Sequence, residues 1–233
     1  MENKFTIFLI VHNEYKKFKE VVERIYKYTP QPFNLLVIDN NSDKENKDDL
    51  LLYLPYENVK IIYNTENILC CKATNQALSM IDTEYAIYVC SRDCFIVDYG
   101  WELNCIDYMN NDVDVAMAGD MWALYDTYWK IVSKSLPKFR NNEWYKQRPK
   151  RDFVFNHIQG GFYILRMKAF KDVGGFNEEA FPQNGMDFEY SYYLQTRFWT
   201  VGKLDFVQSY DQHIKKNFYD DKVKIYHPRI PKK

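Results

Sequence analysis

Thr83-Glu-Tyr-Ala-Ile-Tyr-Val-Cys-Ser-Arg-Asp-Cys-Phe-Ile-Val97 decides how the rest of the chain is read. Tyr85 to Cys90 is a short run of aromatic and β-branched residues, the composition of a strand buried on both faces. It stops at Ser91-Arg92-Asp93, after which apolar residues resume. In an open α/β sheet, ligands bind just beyond the carboxyl ends of the strands. A carboxylate beside an arginine at such a place suits a site that handles phosphate, with or without a metal. A polar turn closing a core strand is the alternative, and the flanking segments choose between the two.

Upstream, the same pattern recurs. Phe5 to Val11 reads as a central parallel strand broken by His12-Asn13-Glu14. Tyr15, Phe18, Val21, Val22, Ile25 and Tyr28 then repeat every three or four residues, which predicts an amphipathic helix. Pro30 and Pro32 stop it. Phe33 to Ile38 is a second strand ending in Asp39-Asn40-Asn41-Ser42, and Asp43 to Leu54 is expected to be helical. Val59 to Tyr63 is a third strand, ending in Asn64-Thr65-Glu66-Asn67, and Leu69 to Ile81 a further helix. Strict alternation implies βαβ units and an α/β fold with a mostly parallel sheet. One polar strand ending is a turn, whereas four on one edge make a site.

Downstream, the pattern loosens. Trp101 to Met109 reads as a helix and Val113 to Ala118 as a strand. Gly119 to Asn156 is rich in Trp, Tyr, Lys and Arg without a clear period, and long segments of that kind in a compact domain are usually functional. Ile158 to Leu165 is a strand with Gly160 and Gly161 near its start, where glycine allows a close backbone approach or a bulge. Met167 to Val173 is a helix closed by Gly174-Gly175. Phe188 to Phe198 is another, with Asp187 placed to cap its start. Val201 to Gln208 reads as a strand. From Asp211 onward there are seven Lys/Arg against three Asp; such a tail is a solvated terminus or a contact to phosphate or an anionic membrane surface.

The bulk composition narrows the class. The 233 residues make one large domain or two small ones. Lys plus Arg number 31 against 32 Asp plus Glu, so no global charge draws the chain to nucleic acid. Five cysteines lack Cys-x-x-Cys spacing, and Cys90 with Cys94 falls short of a zinc site. Free thiols point to a reducing compartment. The longest strongly apolar run, Phe5 to Val11, is far short of the ~20 residues that span a bilayer. The sequence opens directly into a strand, so no signal peptide is expected. A cytoplasmic protein follows, with peripheral contact at the inner membrane face through the basic tail as the variant.

Several chemistries drop out. Val11-His12-Asn13-Glu14 has none of the glycines of a dinucleotide-binding turn, and no Gly-Lys-Ser/Thr phosphate loop or Gly-x-Ser-x-Gly elbow is present. A bound nucleotide must therefore be held by side chains at strand ends, through Asp39 and the Asn and Ser residues near it.

Taken in order, the motifs resemble those of a family 2 type glycosyltransferase of the GT-A fold. Ile10-Val-His-Asn-Glu14 resembles that family's V-x-N-E, and Leu36-Val-Ile-Asp-Asn-Asn-Ser42 its I-V-D-D/N-x-S. Asn64-Thr-Glu-Asn67 and Ala73-Thr-Asn75 resemble its N-x-x-N and A-x-N, and Ser91-Arg-Asp93 falls on its Asp-x-Asp. Gly160-Gly-Phe-Tyr-Ile-Leu-Arg166, then Ala169-Phe-Lys-Asp-Val-Gly-Gly-Phe-Asn177, resembles a characteristic block, and Asn184-Gly-Met-Asp187 falls on G-E-D. The match runs from Phe5 to about His213.

The resemblance implies an inverting transfer of a sugar from a nucleotide diphosphate to a hydroxyl of a glycan or lipid-linked glycan. Residues 1–98 would form the nucleotide-sugar half and residues 99–233 the acceptor half, with the aromatic segment 119–156 as acceptor wall. Asp39 would bond the base or ribose, and Val11 and Asn13 would line the base pocket. Glu14, Asn41, Asn67, Lys72, Arg92, Gly160 and Gly161 would complete the nucleotide-sugar site. Asp93, with His213, would hold a divalent cation, Mn²⁺ or Mg²⁺, on the diphosphate, with His227 a competitor for the histidine's role. Asp187 would be the general base, with Glu189 and Asp120 next in line. Ser91 replaces the first acid of Asp-x-Asp, which leaves a weaker metal site. Met186 replaces the glutamate before the base, and Ile68 and Leu69 stand where the family often has glycine. A degenerate domain that binds without turnover is the first rival; a nucleotidyltransferase, the second, lacks its glycine-rich basic loop.

Overall fold

The computed structural model describes residues 3–43, 57–92, 94–123, 138–141, 156–211 and 224–229. The first half follows the expected alternation. Strand β1 (Phe5–Val11) is buried at every residue. Helix α1 (Tyr15–Tyr28) buries Phe18, Val21, Val22 and Ile25, one stripe at helical spacing. Strand β2 (Asn34–Asp39), β3 (Val59–Tyr63), helix α2 (Leu69–Ser79) and β4 (Tyr85–Val89) follow. The helix expected over Asp43 to Leu54 falls almost wholly outside the described residues. A two-residue strand β5 (Phe95–Ile96) leads to helix α3 (Trp101–Asn111).

The second half holds strand β6 (Val115–Ala123), β7 (Asn156–Arg166), helix α4 (Met167–Val173), helix α5 (Met186–Thr196), β8 (Thr200–Lys203), β9 (Val207–Asp211) and β10 (Ile225–Arg229). The single strand expected over Val201 to Gln208 is thus two, because the chain turns at Leu204, whose buried side chain ends one strand and whose carbonyl accepts from the Val207 amide. The basic tail is not merely a solvated terminus. Ile225 is fully buried, and β10 pairs in parallel with β9 and antiparallel with β5. Lys224 pairs with Asp98 where β10 begins. Most of the aperiodic stretch, residues 124–137 and 142–155, lies outside the described residues.

Among the described residues seven strands form the central sheet, in the order β3-β2-β1-β4-β7-β6-β8. Strands β3, β2, β1 and β4 run parallel, so their carboxyl ends share one edge. Strand β7 is antiparallel to β4 and β6, which brings its amino-terminal half, with Gly160 and Gly161, to that same edge. The sheet is covered on both faces. Phe8, Ile10, Leu36, Ile38, Tyr88, Tyr163 and Leu165 face α2, α4 and α5. Alternate residues Ile7, Leu9, Leu35, Val37, Ile87 and Ile164 face α1 and α3. That alternation on two buried faces explains the continuous apolar runs in the sequence. No described helix is long and apolar enough to cross a membrane.

The block residue Arg166 works far from the functional edge. It is buried at the opposite end of β7, donating to the carbonyls of Val115 and Met109 and to the Tyr85 hydroxyl. It fastens β4, β6 and α3 together.

Candidate active site

The strand order reverses between β1 and β4, the point where open α/β sheets bind ligands. Two contacts span that point. The Ser91 hydroxyl donates to the Ile10 carbonyl at 2.5 Å, and Arg92 forms an ion pair with Glu14. Ser91 is therefore turned into the sheet and fastens β4 to β1. Arg92, expected at the diphosphate, has the Glu14 carboxylate across the crevice, and its side chain remains 55% exposed.

Beside it, the tips of β1 and β2 are laced by short polar bonds. Val11 pairs with Asp39 in the sheet register. The Ser42 amide donates to Asp39 Oδ1 at 3.1 Å, the Asn13 amide to Ser42 Oγ at 3.0 Å, and the Asp43 amide to Asn13 Oδ1 at 2.8 Å. Asn13 and Asn41 both take positive φ, 54° and 63°, which asparagine tolerates better than most residues. Asp39 is fully buried. Its charge is felt at the neighbouring Tyr63, whose hydroxyl pKa is raised by burial first and by Asp39 second.

Asn40 is the hub that sequence reasoning passed over. Its amide donates to Asn67 Oδ1 at 2.8 Å, and its own oxygen accepts from Asn64 Nδ2 and the Ile68 amide, each at 3.1 Å. Asn64 and Gln76 exchange a pair of bonds at 2.9 and 3.0 Å. The Asp-Asn-Asn-Ser run was the available signal. Four amide side chains thus hold the ends of β2 and β3 to the start of α2. There Leu69 takes φ 66°, the conformation glycine favours, at the position where the resembling family often has one.

The third part of the site is the β4–β7 corner. The Cys90 amide donates to the Gly161 carbonyl at 3.1 Å. One residue earlier, the Gly160 amide donates to Asp187 Oδ2 at 2.8 Å. A Cβ on Gly160 would lie 3.1 Å from that oxygen, a tight contact that would press on the Asp187 carboxylate. Asp187 does not cap α5 as expected. Gly185, at φ 81°, holds the cap position, and Asp187 lies in the first turn, where its negative charge is favoured. Its side chain is then free of capping and bonds across to β7. Met186 is buried in the core.

Cys70 and Cys90 lie near this corner. Burial, then Cys90, and more weakly Asp187, push the Cys70 thiol up to about 11. Its thiol therefore favours the protonated form at neutral pH.

Behind the corner, Asn75 accepts from the Phe176 amide at 2.8 Å and donates to the Phe176 carbonyl at 2.9 Å and to Glu178 at 2.7 Å. Gly175 lies against it so closely that a Cβ would fall 2.4 Å from Asn75 Oδ1. Lys72, expected at the donor, lines a cavity of about 260 Å³ with Ile68, Leu69, Glu178, Glu179 and Pro182. Glu189, the alternative base, is committed elsewhere: it is fully buried and accepts both Nε and Nη2 of Arg140 at 2.9 Å. No signal in the aperiodic sequence around Arg140 announced that pair.

Asp93 and His213 lie outside the described residues. Among the described residues no group of three or more His, Cys, Asp or Glu is placed to hold a metal ion.

An open sheet with its polar edge at the β1–β4 crossover and one antiparallel strand, β7, set between β4 and β6 is that of the GT-A class of fold. Within it the chain belongs to glycosyl transferase family 2, whose sequence model matches residues 6–174. Among solved structures it is similar to the mannosyltransferase PcManGT from Pyrobaculum calidifontis in complex with GDP-Man and Mn²⁺, at a TM-score of 0.63 and 13% identity over 88% of this chain and 55% of that one. It is similar to GalNAc-T7 with UDP, GalNAc and Mn²⁺ at 0.63 and 17% identity, over 85% of this chain and 42% of that one. S. aureus TarS gives 0.62 and 16% identity, over 97% of this chain and 37% of that one. The chain therefore spans about half the length of these proteins or less. A search of curated protein sequences found no match.

Proposed function

We propose that the chain transfers a sugar from a nucleotide diphosphate to a hydroxyl of a glycan or lipid-linked glycan, with inversion. The observation that carries this reading is the Asp187 carboxylate, fixed by the Gly160 amide at the same sheet edge that holds Asp39. Family membership and the donor complexes of the structural relatives support the donor class.

In the reaction the donor nucleotide lies across the tips of β1 and β2. The buried Asp39 carboxylate accepts from its base or ribose, and Val11, Asn13 and Asn41 shape the pocket. Glu14 and Arg92 flank the diphosphate, and Asn67, Gly160 and Gly161 frame the sugar. Asp187 takes the proton of the acceptor hydroxyl as its oxygen bonds to the anomeric carbon from the side opposite the leaving group. The bond from that carbon to the diphosphate breaks, and the electron pair departs with the nucleoside diphosphate. Alignment of the two substrates supplies much of the rate, and general-base assistance a further ~10²–10⁴. When bound, a divalent ion would add charge stabilisation on the leaving diphosphate; Asp93 is the acid that remains to hold it, with His213 as its proposed partner.

Asp187→Asn keeps an oxygen for the Gly160 amide, so fold and nucleoside diphosphate affinity should be unchanged while turnover falls at least ~100-fold. Wild-type-like turnover would remove Asp187 as the base. The inward Ser91 and the core position of Met186 favour a second reading, a domain that binds nucleotide sugar without transferring it. Any transfer by the wild-type protein that Asp187→Asn abolishes excludes that reading.

A further inference from the structure

We propose that Glu189 is a positioning residue for the transfer reaction, which through its bidentate pair with Arg140 holds Asp187 in register at the sheet edge. The inference rests on the reading of Asp187 as the base. Glu189 is fully buried on α5, two residues beyond Asp187. Its carboxylate accepts from Arg140 Nε and Nη2 at 2.9 Å and from the Arg140 backbone amide at 3.1 Å. Arg140 Nη1 donates in turn to the Gly175 carbonyl at 2.8 Å, and the guanidinium lies 3.9 Å from the centre of the Tyr193 ring. One side chain thus joins α5, the turn after α4 and residues 138–141.

The rest of that short segment is fastened to the same place. The Tyr192 hydroxyl donates to the Asn141 carbonyl at 3.3 Å, and Phe139 packs with ring centres 5.2 to 5.7 Å from Phe181, Phe188 and Tyr192.

Residues two apart on a helix point to roughly opposite sides, about 200° around the axis. The first turn of α5 is consequently held on both flanks. On one flank, Gly160 donates to Asp187 and the Ile158 amide to Ser191 Oγ at 3.1 Å. On the other, Arg140 forks onto Glu189. A buried ion pair is a poor means of stabilisation, since apolar residues of equal volume often hold a fold as well. What the planar fork adds is a fixed geometry of donors and acceptors. That geometry matters beside Asp187, which the Gly160 amide ties to the sheet through a hydrogen bond of 2.8 Å. A misplacement of about 1 Å at a reacting group can cost on the order of 10²-fold in rate.

The test uses Glu189→Gln and Arg140→Lys in the full chain. The Gly160 amide is followed by NMR hydrogen exchange as a direct reporter of the Asp187 contact. Nucleoside diphosphate release is followed with whichever UDP- or GDP-sugar the wild-type protein turns over, and nucleoside diphosphate affinity by calorimetry. Both variants should speed Gly160 exchange at least ~10-fold while amides of β1 keep their protection. Turnover should fall about 10-fold or more with nucleotide affinity unchanged. Arg140→Lys keeps the charge that balances Glu189 while removing the planar guanidinium and its fork, so it decides the matter if Glu189→Gln does not fold. Unchanged Gly160 exchange in a folded variant would overturn the proposal, as would full turnover per folded molecule. If Asp187→Asn is inactive while both clamp variants are fully active, the clamp fails and the base reading stands; an active Asp187→Asn fails the base reading itself.

Discussion

The tips of β1 to β3 and the corner around Asp187 form one edge but are held by different means. At the tips, asparagine, serine and backbone amides bond to one another across separations of at most 30 residues, within consecutive βαβ units. At the corner, the Gly160–Asp187 bond itself spans 27 residues, but the contacts around it reach across 49 residues between Arg140 and Glu189 and 101 between Asn75 and Phe176. The tips are therefore a product of local chain order, whereas the corner exists only once the distant second half has docked. In this reading the nucleotide belongs to the first construction and the chemistry to the second.

The sharpest way to break that division is at Asp39. Asp39→Ala removes a buried carboxylate that the first half alone supplies. A lost hydrogen bond to a charged group is worth roughly 1.5–3 kcal/mol, so nucleoside diphosphate affinity should weaken about 10- to 100-fold. The Asp187 corner is untouched, and turnover at saturating donor should change far less. Calorimetry and steady-state kinetics on the same preparation separate the two. Unchanged nucleotide affinity would take Asp39 out of the site and end the proposed division of labour.

The seam between the halves is tested next, at Gly175. A methyl there meets Asn75 Oδ1 at 2.4 Å, and Asn75 is held by three hydrogen bonds that leave it little room to retreat. Overpacking of that kind typically costs 1–3 kcal/mol. Gly175→Ala should lower the unfolding free energy by about that amount in denaturant titration. If the halves are held as described, it should also loosen the Arg140 contact to the Gly175 carbonyl. A variant as stable as wild type would show that the seam yields freely.

This contrast also governs what the sequence made legible. Phe5–Val11, Tyr15–Tyr28, Val59–Tyr63 and Met167–Val173 are elements whose residue patterns marked both ends. Each is set by an apolar run or a helical stripe bounded by polar residues, Pro or Gly, all information within a few positions. Strand β10 was not legible, because the tail is rich in Lys and Arg and Ile225 owes its burial to pairing with β9 and with the distant β5. Nor was the role of Asp187 in its helix, since Gly185 took the cap through a backbone conformation that composition does not reveal. The Arg140–Glu189 pair had no local pattern at all. Motifs carried over by resemblance fared by kind: Gly160 and Asp187 meet, while Ser91, Asn75 and Arg166 prove to fasten the frame.

The smallest effect tests the one place where the first half departs from its own local logic. Leu69 opens α2 with φ 66°, a region that costs an L-residue with a Cβ roughly 1–2 kcal/mol. Its amide bonds to Asn67 Oδ1 at 3.0 Å, and the amide before it to Asn40, so the asparagine network holds the backbone there against its preference. Comparing Leu69→Gly with Leu69→Ala isolates the backbone, because both variants lose the same half-exposed side chain. In an ordinary helical position glycine is the less stable of the two by about 1 kcal/mol. Here the order should reverse, with Leu69→Gly more stable than Leu69→Ala by about 1 kcal/mol in denaturant unfolding. The reversal would mean that the strand-tip network imposes the turn and the side chain merely endures it. The ordinary order would mean that the turn relaxes in solution, and that Asn40 and Asn67 do not hold the start of α2 as tightly as their bond lengths imply.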